Sequence, residues 1–275
     1  MTVSPIQRPQ RASDTGISFA GKVALVTGGA RGIGAAISRH LAGDGATIAA
    51  GYRRDREKAL ALAEELESQG GACSVHQGHV GSAYDCERVV DEVLERHGRL
   101  DILVNNAGIT VDKPVLKMSA QDWNEVLSVN LSGAFYLSKP ALEHMVERGS
   151  GRIVNISSII GQIGNVGQAN YAAAKSGLLG LTMTLAREAA HALGKADRLD
   201  DEGPGLTVNT VAPGFIDTEM VAAVPERVLE RIKQQIPFKR LGRPEDVARV
   251  VAFLCDDASS YVTGQVWAVN GGMEM

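Results

Sequence analysis

The sequence predicts an α/β fold: a doubly wound parallel sheet of about seven strands with helices on both faces, in a single domain. Three observations carry that expectation. Short apolar runs alternate with longer amphipathic ones from Lys22 onward, and such βαβα order calls for crossover helices covering both faces of a parallel sheet. The first run, KVALVT, passes without a gap into a glycine-rich turn and a helical stretch, GGARGIGAAISRHLAGDG. No linker, internal repeat or composition break interrupts the pattern, which argues for one domain spanning residues 20–275.

Composition narrows the function classes. Of 275 residues, 44 % are hydrophobic and 22 % charged, the balance of an ordinary globular protein. With 28 basic against 32 acidic residues there is no electrostatic case for nucleic acid or an anionic membrane surface. No apolar run approaches the ~18 residues of a membrane span. Three scattered cysteines, Cys73, Cys86 and Cys255, give no disulfide framework and suit a reducing cytoplasm. No metal is expected: Cys73, His76, His79 and Cys86 match no zinc spacing, and strand alternation would send Cys73 and His76 to opposite faces.

The elements follow in order. Residues 1–19 are polar, carry two prolines and lack both periodicity and a signal-type apolar core, so they read as a mobile tail. After the first strand, Gly28, Gly32 and Gly34 let backbone approach a pyrophosphate, and the helix behind them offers free amides and a partial positive charge. This makes the fold Rossmann-type. The second strand, ATIAAGY, ends in Arg53-Arg54 without an acid at 50–54 to hold ribose hydroxyls. Two guanidiniums, with Arg31 as a third, suit the 2′-phosphate of NADP, so NADPH is the expected cofactor. The alternative, that Arg53 and Arg54 merely begin the solvated helix DREKALALAEELESQG, stays open. Beyond them the pattern predicts strand 72–77, helix 82–97, strand 100–104, helix 120–147, strand 152–157 and a helix over 170–193. A charged, glycine-rich loop precedes the strand LTVNTVA. A long excursion over about 215–240 then stands where a substrate lid would sit, before helix 244–256 and the strand QVWAVNGG.

The chemistry concentrates in NISSIIGQIGNVGQANYAAAK. Tyr171 and Lys175 are four apart in an Ala- and Leu-rich helical stretch and so share a face. An adjacent cation stabilises a phenolate and is expected to lower the tyrosine pKa from about 10. Ser158, on the turn after an apolar strand, is placed to offer a hydroxyl to the same substrate oxygen. Taken alone, Tyr171 and Lys175 read as a core residue and a solvated helix position, because this spacing is common in helices of any kind.

Six stretches in register remove that ambiguity: T27-G-G-A-R-G-I-G34, N105-N-A-G108, Asn130 in LSVNLSG, Ser158, Y171-A-A-A-K175 and P213-G214. Together they resemble the short-chain dehydrogenase/reductase family over about 250 residues from Phe19 to the end. The resemblance implies a catalytic set of Asn130, Ser158, Tyr171 and Lys175: Tyr171 as general acid, Lys175 tuning it and holding the nicotinamide ribose, Ser158 bonding the carbonyl oxygen, and Asn130 steadying a water. It implies cofactor contacts from Gly28, Arg31, Gly32, Ile33 and Gly34 in the first turn, and from Arg53 and Arg54. His79, Val80, Asn106, Ala107 and Gly108 would follow along the cleft. Tyr171, Lys175, Pro213, Gly214, Ile216 and Thr218 would complete the set.

Within the family the stretches GNVGQANYAAAKSGLLG, NTVAPGFIDTEM and VNGGMEM resemble 3-oxoacyl thioester reductases most, acting on carrier-protein or CoA substrates. That implies NADPH-dependent reduction of a 3-oxoacyl thioester. Reduction of a sugar, steroid or xenobiotic ketone, and a cofactor-binding protein without chemistry, are the alternatives. Three departures stand out: His79 where the family commonly has an adenine-binding Asp, a loop at 194–205 longer by about a dozen residues, and Arg148 as the sole candidate for a basic residue beside the site entrance. A neutral His79 nitrogen is expected to accept from adenine in place of Asp. The helix around Tyr171 carries few charges, which suggests that its outer face is also buried, and the resemblance implies a homotetramer in which this helix pairs across a two-fold axis.

Overall fold

A computed structural model describes residues 16–200, 203–222 and 224–274. The chain alternates as β1 (Val23–Thr27), α1 (Gly32–Gly43), β2 (Thr47–Tyr52), α2 (Arg56–Ser68), β3 (Cys73–Gln77), α3 (Ala83–His97) and β4 (Ile102–Asn105). It continues with α4 (Ala120–Leu127), α5 (Gly133–Arg148), β5 (Gly151–Ile156), α6 (Ile160–Ile163), α7 (Ala169–Lys195) and β6 (Leu206–Pro213). The short helices α8 (Glu219–Ala222) and α9 (Glu226–Gln235), then α10 (Pro244–Cys255) and β7 (Val266–Val269), close the fold.

The seven strands form one parallel sheet in the order β3-β2-β1-β4-β5-β6-β7. The chain begins at the centre, winds out to β3, then returns past β1 to wind the other way. The reversal between β1 and β4 is a topological switch point, where a crevice opens at the carboxyl ends of the strands. Alternation along each strand splits the core in two. Ala24 and Val26 face Ile37 and Leu41 of α1 and Val247 and Val251 of α10. Val23 and Leu25 face Val90 and Val93 of α3, Leu137 of α5, and Leu185 and Ala189 of α7. Each such side chain removed from water contributes about 1.5–3 kcal/mol.

Two boundaries differ from the sequence reading. The described part of the tail is already structured: Phe19 is fully buried and Ile17 packs against the same core cluster. Residues 1–15 of that expected tail lie outside the described residues. The single helix expected over 120–147 is interrupted by a π-turn at Ser128–Ser132, although the backbone remains helical at both joints. One extra residue per turn rotates Asn130 relative to a regular helix, and amphipathic spacing alone does not register such a slip. The 215–240 excursion is pinned at its base, where Ile216 bridges Gly242 and Asp217 N donates to Gly242 O at 2.8 Å.

A buried polar chain crosses the sheet beneath the crevice. Asn105 Nδ2 donates to Asn155 Oδ1 (2.8 Å), Asn155 Nδ2 to Thr182 Oγ1 (2.8 Å), and Thr182 shares a hydrogen bond with Thr210 (2.7 Å). It fixes α7 against β4, β5 and β6. Buried polar groups specify geometry this tightly because leaving one unpaired costs about 1–3 kcal/mol.

Candidate active site

The crevice has a volume of about 660 Å³. Its floor is the turn between β1 and α1. Gly28 and Gly32 have φ of +60° and +49°, values that favour glycine. A Cβ on Gly34 would stand 2.2 Å from the Gly28 carbonyl oxygen, so this glycine lets α1 close against the turn. The Arg31 side chain makes no capping bond to α1, leaving the helix's first amides to face the crevice. Asn106 staples the opposite wall to this turn: its Nδ2 donates to Thr27 O at 2.9 Å, while its backbone N donates to Thr27 Oγ1 at 3.0 Å. A bare glycine cradle with free helical amides fits a dinucleotide pyrophosphate.

The other end of the crevice collects the reactive side chains. Ser158 follows β5, and Tyr171 and Lys175 stand one turn apart on α7. Gly161 allows this approach, since a Cβ there would lie 2.7 Å from the Lys175 carbonyl carbon. Lys175 is 3 % exposed; its Nζ donates to the Ile156 carbonyl at 2.7 Å and sits 5.7 Å from the Tyr171 ring centre. Burial pulls the Lys175 ammonium down to about 8. Tyr171 departs from expectation: burial pushes its phenol up, and the hydrogen bond it shares with Ser158 only partly opposes this. The Asp112 carboxylate pushes the phenol in the same upward direction. A protonated phenol beside a hydroxyl donor is the state a general acid needs.

Asn170, missed in the sequence reading, sets Tyr171 in place. It is fully buried, its Oδ1 accepts from Tyr171 N (2.8 Å), and its Nδ2 donates to Val111 O and Asp122 O at 3.1 Å each. Asn130 is buried in the π-turn, where its amide clamps Ile109: Oδ1 accepts from Ile109 N and Nδ2 donates to Ile109 O, both at 2.8 Å. A Cβ on Gly108 would fall 2.9 Å from Asn130 Oδ1 and 3.6 Å from Lys175 Nζ, so that glycine keeps Asn130 and Lys175 close.

Arg31, Gly28, Gly32, Ile33, Arg53, Arg54, His79, Val80, Asn106, Ala107 and Gly108 all line the crevice, with Ser158, Tyr171, Lys175, Pro213, Gly214, Ile216 and Thr218. Gly34 and Asn130 do not; they support its walls from behind.

Comparison with known proteins agrees with this geometry. The model of a family described as Enoyl-(Acyl carrier protein) reductase matches residues 28–274. A protein named 3-oxoacyl-(acyl-carrier-protein) reductase FabG from Staphylococcus aureus is 43 % identical over 254 residues, covering 92 % of this chain and 98 % of that protein. Its namesake from Aquifex aeolicus is 45 % identical over 259 residues, covering 94 % and 99 %. A third, from Thermotoga maritima, is 42 % identical over 253 residues, covering 92 % and 98 %. The chain belongs to the short-chain dehydrogenase/reductase family. It is an oxidoreductase.

Two details of this short-chain dehydrogenase/reductase correct the sequence reading. His79 cannot accept through Nδ1 as expected, because that nitrogen already accepts the Gly81 amide at 2.9 Å. Arg148 ends α5 at the amino edge of the sheet, 3.9 Å from Asp101, and so lies opposite the crevice rather than beside its entrance. His76 Nδ1 bonds Glu92 at 3.1 Å, Cys86 donates to Val80 O, and Cys73 to Ser74 O. Lys58 and Glu219, which pair at 2.8 Å across the mouth of the crevice, were not anticipated. They are 161 residues apart, and no local signal links them.

Proposed function

We propose that this chain reduces a 3-oxoacyl thioester to the 3-hydroxyacyl thioester at the expense of NADPH. The observation that carries the reaction type is the convergence of Ser158, Tyr171 and Lys175 at one end of a crevice whose other end is a glycine cradle. The names of the relatives support the thioester substrate. Glycine backbone, uncapped α1 amides and Thr218 would hold the dinucleotide, while Arg31, Arg53, Arg54 and Lys58 offer positive charge for a 2′-phosphate. When bound, the nicotinamide supplies the hydride.

The side chains handle the proton. Ser158 donates to the substrate carbonyl oxygen and orients it. Tyr171, held neutral by burial, gives its phenolic proton to that oxygen as negative charge develops. Lys175 stabilises the resulting phenolate, and its position about one turn away allows this without a covalent step. Asn130 serves by fixing Ile109 and the neighbouring wall; with its side-chain amide so engaged, a water linked to Lys175 would rest on the Asn130 carbonyl. The 215–240 segment acts as the lid.

No helix among the described residues is long and apolar enough to cross a membrane, and a cytoplasmic location suits the three reduced cysteines. A homotetramer is proposed, with α5 and α7 at one interface, where Phe135 and Met183 are exposed, and α10 with β7 at another, where Phe253 packs edge-to-face against Trp267. Light scattering at micromolar concentration checks this; a monomer would refute it. The reaction is tested by the initial rate of the purified full chain with acetoacetyl-CoA and with an acetoacetyl carrier protein, using NADPH and NADH in parallel. Turnover of either thioester with NADPH is expected, and dinucleotide binding with no thioester turnover would overturn the substrate assignment.

A further inference from the structure

At the end of the crevice away from Ser158 and Tyr171, the segment after β3 and the start of α3 form a slot. Its walls are apolar, from Val80, Cys86 and Val89, and its rim is His79. On the dinucleotide reading, with the pyrophosphate at the α1 turn and the cationic strand end at Arg53 and Arg54, the flat slot one strand further out takes the purine base. This inference rests on that reading.

The hydrogen-bonding character of the rim is fixed by the chain itself. The Gly81 backbone amide points at His79 Nδ1 at 2.9 Å, and an amide can only donate. The lone pair of Nδ1 is therefore taken and the neutral ring carries its proton on Nε2. A half-turn of the ring would put a carbon where Nδ1 sits and lose this bond. Gly81 holds the ring in place: a Cβ on it would lie 2.7 Å from His79 Cε1. Burial and the charges of Arg53 and Arg54 oppose protonation of the ring, with Asp85 favouring it. The carboxylate nearest the slot, Asp85, already accepts from the His79 backbone amide at 2.8 Å and faces the Arg88 guanidinium. The Val80 backbone amide donates to no acceptor among the described residues, and Val80 lines the crevice next to His79, which leaves this amide as the second donor for a bound base.

We propose that His79 makes this rim donor-only, so that the site does not discriminate a 6-aminopurine dinucleotide from its 6-oxopurine counterpart. A 6-aminopurine offers an acceptor at N1 and a donor at the amino group. It satisfies Val80 and leaves His79 unmatched. A 6-oxopurine offers an acceptor at O6 and a donor at N1. It satisfies His79 and leaves Val80 unmatched. Each base makes one of the two bonds, whereas an aspartate at 79 would complete the pair for the amino base and repel the oxo oxygen. Sites built to bond a particular N–H or O–H discriminate strongly against analogues lacking it; this rim is not built that way.

The test is the dissociation constant of NADPH and of reduced nicotinamide hypoxanthine dinucleotide phosphate, measured by calorimetry on the full chain and on His79→Asp. The natural protein is expected to bind the two within about threefold, and His79→Asp to favour NADPH by about tenfold or more, one hydrogen bond's worth. A tenfold preference for NADPH in the natural protein would overturn the proposal whether or not the variant folds. So would an unchanged ratio in a folded His79→Asp. Binding of neither dinucleotide would bring down the cofactor reading itself, and the proposal with it.

Discussion

Lys175 is tethered to the strand that presents Ser158: its Nζ donates at 2.7 Å to the carbonyl of Ile156, two residues before that serine. The helix bearing Tyr171 and the strand end bearing Ser158 are thereby locked in one register. Ser157 repeats the tie in the other direction, its Oγ donating to the Lys175 carbonyl at 2.7 Å. The catalytic arrangement is a junction between β5 and α7 rather than a set of independent side chains.

Burying the Lys175 ammonium has a measurable cost. Its pKa falls from the ordinary 10.5 to about 8 in the folded protein, so between these values the unfolded chain holds a proton that the folded chain has released. Folded-state stability therefore rises with pH across that window. Relative to Lys175→Met, the natural protein is expected to gain up to roughly 3 kcal/mol between pH 8 and 10.5. Denaturant titrations of both proteins at several pH values check the slope; a flat difference would show that Lys175 is not desolvated.

Removing the phenolic proton isolates the acid. Tyr171→Phe keeps the ring and its packing and is expected to lower kcat by roughly 10²–10⁴-fold. Calorimetry should find dinucleotide binding within a fewfold of the natural protein. Retained turnover on the natural substrate would assign the proton to another group.

On the proposed reading, the cationic strand end selects the dinucleotide. Replacing both Arg53 and Arg54 with Ala is expected to weaken NADPH binding roughly tenfold or more, since each charged donor contributes strongly to phosphate recognition. NADH binding should hardly change. Equal losses for both dinucleotides would place these side chains away from the 2′-phosphate.

The polar chain under the site is expected to matter for stability first. Asn155→Ala removes one acceptor of Asn105 Nδ2, which keeps Ser138 Oγ, and the donor to Thr182, which keeps Thr210. A loss of about 1–3 kcal/mol follows from breaking two buried bonds at once, read as a drop of several degrees in Tm. An unchanged melting curve would mean that the neighbours repair the chain.

Much of this protein is written locally. Short continuous apolar strands, period-3.6 helices and the glycines of the first turn determine the parallel sheet and the crevice at its strand ends, because each element's apolar pattern depends on its own residues. The four-residue spacing of Tyr171 and Lys175 likewise puts both on one helix face whatever surrounds them. The tertiary structure decided what depends on partners distant in sequence. The rotation of Asn130 comes from a π-turn, and its anchor at Ile109 is 21 residues away. The upward shift of Tyr171 follows from burial that no spacing encodes. His79 becomes a donor only because Gly81 folds back under its ring, and Arg148 falls on the far edge of the sheet because α5 runs antiparallel to the strands it covers. Hydrogen-bond direction and desolvation are properties of packed neighbours, so they exist only once the chain has closed on itself.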